Sequence, residues 1–83
     1  IEHDCNLGNN IMVCPGVNIC GGVIVENDVF IGAGTTIINS TNDKKIILNE
    51  KCIIGAGSLI TNSIGSNKLY YGNSFNYVLK DLK

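Results

Sequence analysis

The chain carries a six-residue repeat, which limits its possible folds more than any other property of the sequence. Counted in steps of six, the repeat places aliphatic residues at Ile1, Leu7, Val13, Ile19, Val25, Ile31 and Ile37, and then at Leu48, Ile54 and Ile60. Neither the three-and-four spacing of a helix nor the alternation of a half-exposed strand produces a period of six. Such a period indicates small units that bury their apolar residues against one another.

The other positions of the block suggest how each unit folds. Fifth residues are small or β-branched, as at Cys5, Thr41 and Cys52, and third and fourth residues are mostly Gly, Asn or Asp. These three residue types tolerate turn conformations, including positive φ. We therefore predict an all-β fold, a parallel β-helix of hexapeptide repeats in which three blocks close one triangular coil of a single-stranded solenoid. Successive coils would stack about 4.8 Å apart.

The repeat is interrupted once. The step from Ile37 to Leu48 is eleven residues, five more than the repeat requires, and it runs through the polar segment "NSTNDKKI". We predict a loop extruded from one corner over about residues 40–45. It is either a tolerated surface insertion or a loop that overhangs a cleft between subunits and contacts substrate.

The domain organisation follows from where the repeat runs. The prediction assigns residues 1–66 to the β-helix and 67–83 to a short C-terminal tail that is helical or extended. Because the pattern is already in phase at residue 1, we expect the β-helix to continue upstream, in a longer protein whose N-terminal domain is missing here.

Composition argues against several classes of function. Charged residues make up 16% of the chain and the formal net charge is −1, so a nucleic-acid or anionic-membrane surface is not expected. No stretch approaches the roughly 18 apolar residues of a membrane span. With one histidine and no CxxC pair, we predict no metal site. The four cysteines are interpreted as free thiols of a cytoplasmic protein.

Five segments carry a family resemblance. In chain order "IEHDC", "CPGVNICGGV", "VFIGAGTTI", "CIIGAGSLIT" and "YYGNSFNYV" resemble the catalytic half of the sialic-acid and bacillosamine pathway acetyltransferases, within the hexapeptide acyltransferase superfamily. The resemblance implies a left-handed β-helix, a homotrimer, and acetyl-CoA bound in the groove between two adjacent β-helices. It also implies that a separate N-terminal α/β domain binds a nucleotide sugar.

The resemblance places the catalytic pair in the first block. It makes His3 the general base and Asp4 the acidic neighbour that orients it. A neutral imidazole can remove a proton from the acceptor, and a carboxylate on the other ring nitrogen fixes its tautomer. His3 and Gly21 are 18 residues apart, one predicted coil, so we expect them to stack at one corner. The alternatives are a surface histidine, an aspartate that caps its own turn, and Glu2 as the partner.

The cofactor contacts are also implied by the resemblance. Gly21 corresponds to a backbone contact, and Ala33 and Ala56 lie near positions whose amides line the pantetheine groove. Met12 stands where relatives often carry a second histidine that touches the acetyl group. Ser74 replaces a proline of the family pattern.

We therefore predict an acetyltransferase that moves the acetyl group of acetyl-CoA to an amino or hydroxyl group of a sugar or nucleotide sugar. Two alternatives stay open. One is another hexapeptide acetyltransferase with serine, a simple sugar or an antibiotic as acceptor. The other is a non-catalytic β-helix that serves as a trimerisation module.

Overall fold

The computed structural model of the chain describes residues 5–41, 43–73 and 75–82. Within these residues the fold is all-β, with eleven strands and no helix, hence none that is long and apolar enough to cross a membrane. In chain order the strands are β1 Asn6–Leu7, β2 Met12–Val13, β3 Asn18–Ile19, β4 Ile24–Val25, β5 Phe30–Ile31, β6 Thr36–Ile37, β7 Ile47–Leu48, β8 Ile53–Ile54, β9 Leu59–Ile60, β10 Lys68–Gly72 and β11 Tyr77–Asp81. Each strand from β1 to β9 consists of two residues, the sixth of one block and the first of the next. This confirms the prediction of a short strand in each of these blocks.

The described strands form three sheets, which the chain visits in turn. Sheet A has the order β1-β4-β7, sheet B the order β2-β5-β8-β10-β11, and sheet C the order β3-β6-β9. Each strand from β1 to β6 pairs in parallel with the third strand after it. In the first pairs the step is 18 residues, as in Asn6 with Ile24 and Asn18 with Thr36. We call one passage of the chain through sheets A, B and C a circuit. These parallel sheets, visited in turn, are compatible with the predicted β-helix.

The turns fall where the sequence predicts them. The fourth residues with φ between +58° and +77° are Asn10, Gly16, Gly22, Asp28, Gly34, Lys51 and Gly57. The left-handed conformation at this position reverses the chain sharply enough to end one two-residue strand and begin the next. Asn and Asp adopt it at low cost, whereas Lys51 does so with some strain.

The core consists of the first and fifth residues of the blocks. First residues from Ile19 to Ile60 are at most 1% exposed, and fifth residues from Val23 to Ile64 are at most 5% exposed. Each fully buried aliphatic side chain contributes about 1.5–3 kcal/mol. Leu7 and Val13 hold first positions too, but they are exposed because no described strand pairs with the outer edges of β1 and β2.

Five extra residues, 41–45, account for the break in the repeat. Ser40 holds a fourth position, and its Oγ accepts a hydrogen bond of 2.8 Å from the Ile46 N–H. Ile46 is fully buried and takes the fifth position, whereas the sequence pattern suggested Thr41, which is exposed. Thr41 instead closes the loop, because its N–H donates to the Lys44 carbonyl at 2.8 Å.

The C-terminal segment forms a β-hairpin. Strand β10 continues sheet B in parallel with β8, and β11 folds back antiparallel to β10. The rings of Tyr70 and Tyr77 stack across the hairpin with their centroids 5.3 Å apart. Lys68 and Asp81 form an ion pair at its open end. Of the two conformations that the sequence left open for the tail, the chain adopts the extended one.

Candidate active site

Turns that join the same two sheets lie above one another in three columns. The turns that join sheet C to sheet A are called the Gly21 turns, residues 20–23 and 38–46. Those that join sheet A to sheet B are the Asn27 turns, residues 8–11, 26–29 and 49–52. Those that join sheet B to sheet C are the Ala33 turns, residues 14–17, 32–35 and 55–58. In each column a fourth-position N–H donates to the third-position carbonyl one circuit earlier, in the pairs Ser40–Gly21 (2.9 Å), Lys51–Asn27 (3.1 Å) and Gly57–Ala33 (2.8 Å).

The two residues predicted to be catalytic, His3 and Asp4, lie outside the described residues, as does Ser74. Their roles stay predictions. The next residue, Cys5, is half-buried and packs against the core, as its fifth position predicts. Its thiol donates a hydrogen bond of 3.1 Å to the carbonyl of Cys20 in the Gly21 turns.

The backbone of Gly21 is already hydrogen-bonded in both directions. Its N–H donates to Asn39 Oδ1 at 3.0 Å, and its carbonyl accepts from the Ser40 N–H. A Cβ on the adjacent Gly22 would come within 3.2 Å of Ser40 Cβ, so the two circuits are tightly stacked here. With the side chain of Asn39 in this position, Gly21 offers a cofactor close van der Waals approach and no backbone hydrogen bond.

A polar groove of about 460 Å³ opens beside the Gly21 turns. Its lining residues are Asn6, Gly21, Gly22, Ile24, Asn39, Ser40 and Lys45. Lys45, an exposed residue of the inserted loop, lines this groove, and the pattern of the sequence did not single it out. The sequence signal for this groove was the position of the insertion, because the extra residues follow Ser40, which lies 18 positions after Gly22 and 36 after Asp4.

The Ala33 turns have a different surface. Ala33 and Ala56 are exposed, and a Cβ built on Gly34 or Gly57 would meet no atom within 4 Å. Within the described residues the N–H groups of Ala33 and Ala56 donate no hydrogen bond. Equivalent N–H groups of other turns do donate to side-chain oxygens, in the pairs Asn9–Asn27 Oδ1 (2.7 Å), Gly21–Asn39 Oδ1 (3.0 Å) and Glu50–Glu26 Oε1 (3.1 Å). The Ala33 turns thus present open backbone donors on a column of small residues.

The Asn27 turns are a poorer place for an anionic cofactor. The Asn27 N–H also donates no hydrogen bond in the described part of the chain. However, three exposed carboxylates, those of Glu26, Asp28 and Glu50, lie in the same column against one exposed lysine, and their net negative charge would repel phosphate groups. This comparison singles out Ala33 and Ala56 as the better pair of donors.

Met12 lies on the outer face of sheet B, 58% exposed. It pairs with Phe30, which pairs in turn with Ile53, so apolar side chains occupy the outer face of three neighbouring strands. The outer positions of sheet C begin with Asn18 and Thr36 instead. Met12 therefore belongs to an apolar strip next to the Ala33 turns.

The structure divides the predicted cofactor contacts into two groups. Ala33 and Ala56 lie one circuit apart in one column, with Met12 on the adjoining sheet. Gly21 lies in another column, separated from Ala33 by two blocks of the chain. A single copy of the chain does not bring all four residues to one site.

Other reactive groups of the described residues do not form a second centre. Burial raises the pKa of the Cys52 thiol to about 12, with a smaller contribution from the Glu26 carboxylate, so this thiol is not a nucleophile at neutral pH. Among the described residues no three potential metal ligands come together.

Comparisons with known proteins point to enzymes that transfer acyl groups. Over 48 residues, 58% of the chain, it is 30% identical to the GDP-perosamine N-acetyltransferase of Escherichia coli O157:H7. Over 37 residues, 45% of the chain, it is 40% identical to the acyl-[acyl-carrier-protein]–UDP-N-acetylglucosamine O-acyltransferase of Sinorhizobium fredii. The bifunctional protein GlmU of Latilactobacillus sakei is 36% identical over 53 residues, 64% of the chain.

All three similarities are partial. The matches cover 22%, 14% and 12%, respectively, of the lengths of these relatives. No protein-family model and no solved structure matches the chain. The relatives support a relationship to acyltransferases with sugar-related substrates.

Proposed function

We propose that the chain is the left-handed β-helical part, with its C-terminal hairpin, of a cytoplasmic acetyltransferase. In this proposal residues 1–66 form the β-helix and residues 67–83 the hairpin segment. The enzyme moves the acetyl group of acetyl-CoA to an amino or hydroxyl group of a nucleotide sugar. One observation carries the proposal. The backbone N–H groups of Ala33 and Ala56 have no hydrogen-bond acceptor within the described residues, and they lie one circuit apart on an open surface.

These two donors suit the pantetheine arm of acetyl-CoA. The arm is extended and carries amide carbonyls, and donors about 4.8 Å apart can bind such a chain along the column. Because the column exposes only small side chains, the arm can approach the backbone closely. An N–H without a partner in the protein exchanges a hydrogen bond to water for one to the ligand, and no hydrogen bond of the protein itself is broken.

In the proposed step His3 acts as general base. Its neutral imidazole takes a proton from the acceptor amine or hydroxyl as that atom attacks the thioester carbonyl carbon. The carbon–sulfur bond then breaks, the CoA thiolate leaves and takes the proton from the His3 imidazolium, and the acetyl group stays on the acceptor. Asp4 orients the imidazole. Strand β1 pairs with β4 at a step of 18 residues, which supports a place for His3 one circuit before Gly21.

A homotrimer would bring the two groups of residues together. Two columns of one chain are separated by one side of the triangle, roughly 20 Å or less for six extended residues. The Gly21 turns of one copy can face the Ala33 turns of its neighbour, so that acetyl-CoA lies between them. The apolar strip of Met12, Phe30 and Ile53 offers such a neighbour a contact surface.

Acceptor-dependent release of CoA tests the proposal. The full chain is incubated with acetyl-CoA and either GDP- and UDP-linked amino sugars, or serine and simple sugars. The proposal predicts turnover with a nucleotide sugar. Turnover with serine or a simple sugar alone would assign the chain to another branch of acetyltransferases. If acetyl-CoA neither binds saturably nor turns over in an intact trimer, the chain is a trimerisation module.

A further inference from the structure

The groove beside the Gly21 turns has one side built by the inserted loop. Lys45, the last inserted residue, lines the groove together with Asn6 and Asn39. The Lys45 backbone is held in place, because its carbonyl accepts a hydrogen bond of 3.1 Å from Ser63 Oγ. The following residue is fixed to Ser40 by the bond from Ile46. The loop therefore anchors the backbone of Lys45 at a defined place beside the groove.

The groove presents donors and a positive charge. Asn39 accepts from the Gly21 N–H through Oδ1, which leaves both hydrogens of its amide nitrogen available. Within the described residues Lys45 has no ion pair, and the side chain of Asn6 forms no hydrogen bond. No carboxylate of the described residues lines the groove, and Asp43, on the loop, is outside the lining.

We propose that this groove binds a phosphate or diphosphate group, with Lys45 as its cation. A lysine ammonium and side-chain amide hydrogens are suitable partners for phosphate oxygens. The volume of about 460 Å³ accommodates a diphosphate. The choice of this ligand rests on the proposed function, since both the nucleotide-sugar acceptor and CoA carry such groups. The loop is then a binding element and more than a tolerated insertion.

The test uses inorganic pyrophosphate as probe, followed by the amide chemical shifts of Gly21, Gly22 and Ser40 and by calorimetry. The wild-type chain should bind it, and Lys45→Met should weaken binding by roughly five- to tenfold, the loss of one charge-assisted contact. Lys44→Met is the matched control, because Lys44 is exposed on the same loop but does not line the groove. It should bind like the wild type. An absence of pyrophosphate-dependent shifts at these amides, or equal affinity of both variants, would overturn the proposal.

Turnover distinguishes the two sources of phosphate. If the acceptor's diphosphate occupies the groove, Lys45→Met raises the KM for the nucleotide sugar and leaves that for acetyl-CoA unchanged. If CoA occupies it, the KM for acetyl-CoA rises instead, and dephospho-acetyl-CoA shows whether the 3′-phosphate is the group concerned. A KM that changes for neither substrate while turnover continues would contradict the inference. Pyrophosphate binding without turnover of any acceptor would contradict the proposed function and leave the anion site standing.

Discussion

The N–H of Gly21 and the side-chain oxygen of Asn39 form a hydrogen bond of 3.0 Å between residues 18 positions apart. Because of this bond, the Gly21 N–H already has an acceptor and is not available to a ligand. At the Ala33 turns the third positions hold Pro15, Ala33 and Ala56, whose side chains cannot accept a hydrogen bond, and the N–H groups of the two alanines stay without a partner within the described residues. This difference between the two columns is the reason for the proposal that the pantetheine arm binds along the Ala33 turns.

Removing the Asn39 acceptor should cost stability locally. We expect Asn39→Ala to lower the free energy of unfolding by about 1 kcal/mol and to speed hydrogen exchange at the Gly21 amide. Asn39→Asp, which keeps the acceptor, should retain the protection. Asn9→Ala serves as control, because the Asn9 side chain forms no hydrogen bond within the described residues. Equal protection of the Gly21 amide in Asn39→Ala and wild type would show that the bond is absent in solution.

Filling the open column should weaken cofactor binding without unfolding the chain. Ala56 is exposed next to open space, so Ala56→Leu should leave stability within about 0.5 kcal/mol of wild type. Its side chain would occupy the path of the pantetheine arm, and we expect the KM for acetyl-CoA to rise about tenfold, a loss of roughly 1.4 kcal/mol. Asn9→Leu makes a similar change in the Asn27 turns and should not alter that KM. If the two variants show the same KM, acetyl-CoA does not lie on the Ala33 turns.

Gly32 and Gly65 should respond differently to alanine. A Cβ on Gly32 would lie 2.5 Å from the Ala56 N atom and 2.8 Å from its Cα, so the backbone of the next circuit would have to move. We expect Gly32→Ala to destabilise the chain by about 2 kcal/mol, as in other cases of overpacking. At Gly65 the nearest atoms are side-chain carbons of Lys68 at 3.6 and 3.7 Å, and alanine should cost little. Urea unfolding of both variants measures the difference, and similar midpoints would argue against this close stacking.

The buried thiol of Cys52 makes stability depend on alkaline pH. Burial raises its pKa to about 12 in the folded chain, with help from the Glu26 carboxylate, whereas an unfolded thiol titrates near 8.5. Above that pH the unfolded chain loses the proton and the folded chain keeps it, so stability falls with rising pH, by up to about 1.4 kcal/mol per unit.

The effect of this thiol is measured from pH 8 to 10, where Tyr70, whose pKa burial also raises, contributes least. Cys52→Ala should flatten the decrease in melting temperature over this range, apart from a constant loss due to the cavity. Cys14→Ala, at a half-buried cysteine outside the core, should keep the wild-type slope. A Cys52→Ala slope as steep as that of the wild type would exclude this thiol as the cause.

Nine of the strands and the positions of the turns could be predicted because the constraint is periodic. Ile31 and Ile54 must both point inward, and any slip in register would expose them. Inside the insertion the period no longer applies, which is why the sequence suggested Thr41 for the place that Ile46 occupies. The bond from Gly21 to Asn39 depends on a side-chain rotamer, and the groove beside Lys45 depends on the path of the loop. Neither is encoded in a repeat.

The most direct test of the central claim mixes two impaired chains and measures turnover at acetyl-CoA concentrations well below the KM. His3→Ala removes the proposed base. Ala56→Leu obstructs the Ala33 turns of its own copy, which in the proposal bind the cofactor for the site of the neighbouring copy. Chains with these changes are co-expressed under two affinity tags, and trimers that carry both tags are purified. Since each site would use the Gly21 turns of one copy and the Ala33 turns of the next, every doubly tagged trimer holds one intact site. At these concentrations we predict about one third of wild-type activity from such trimers, against about a tenth from Ala56→Leu alone and little from His3→Ala alone. Doubly tagged trimers without activity would contradict a site shared between neighbouring copies.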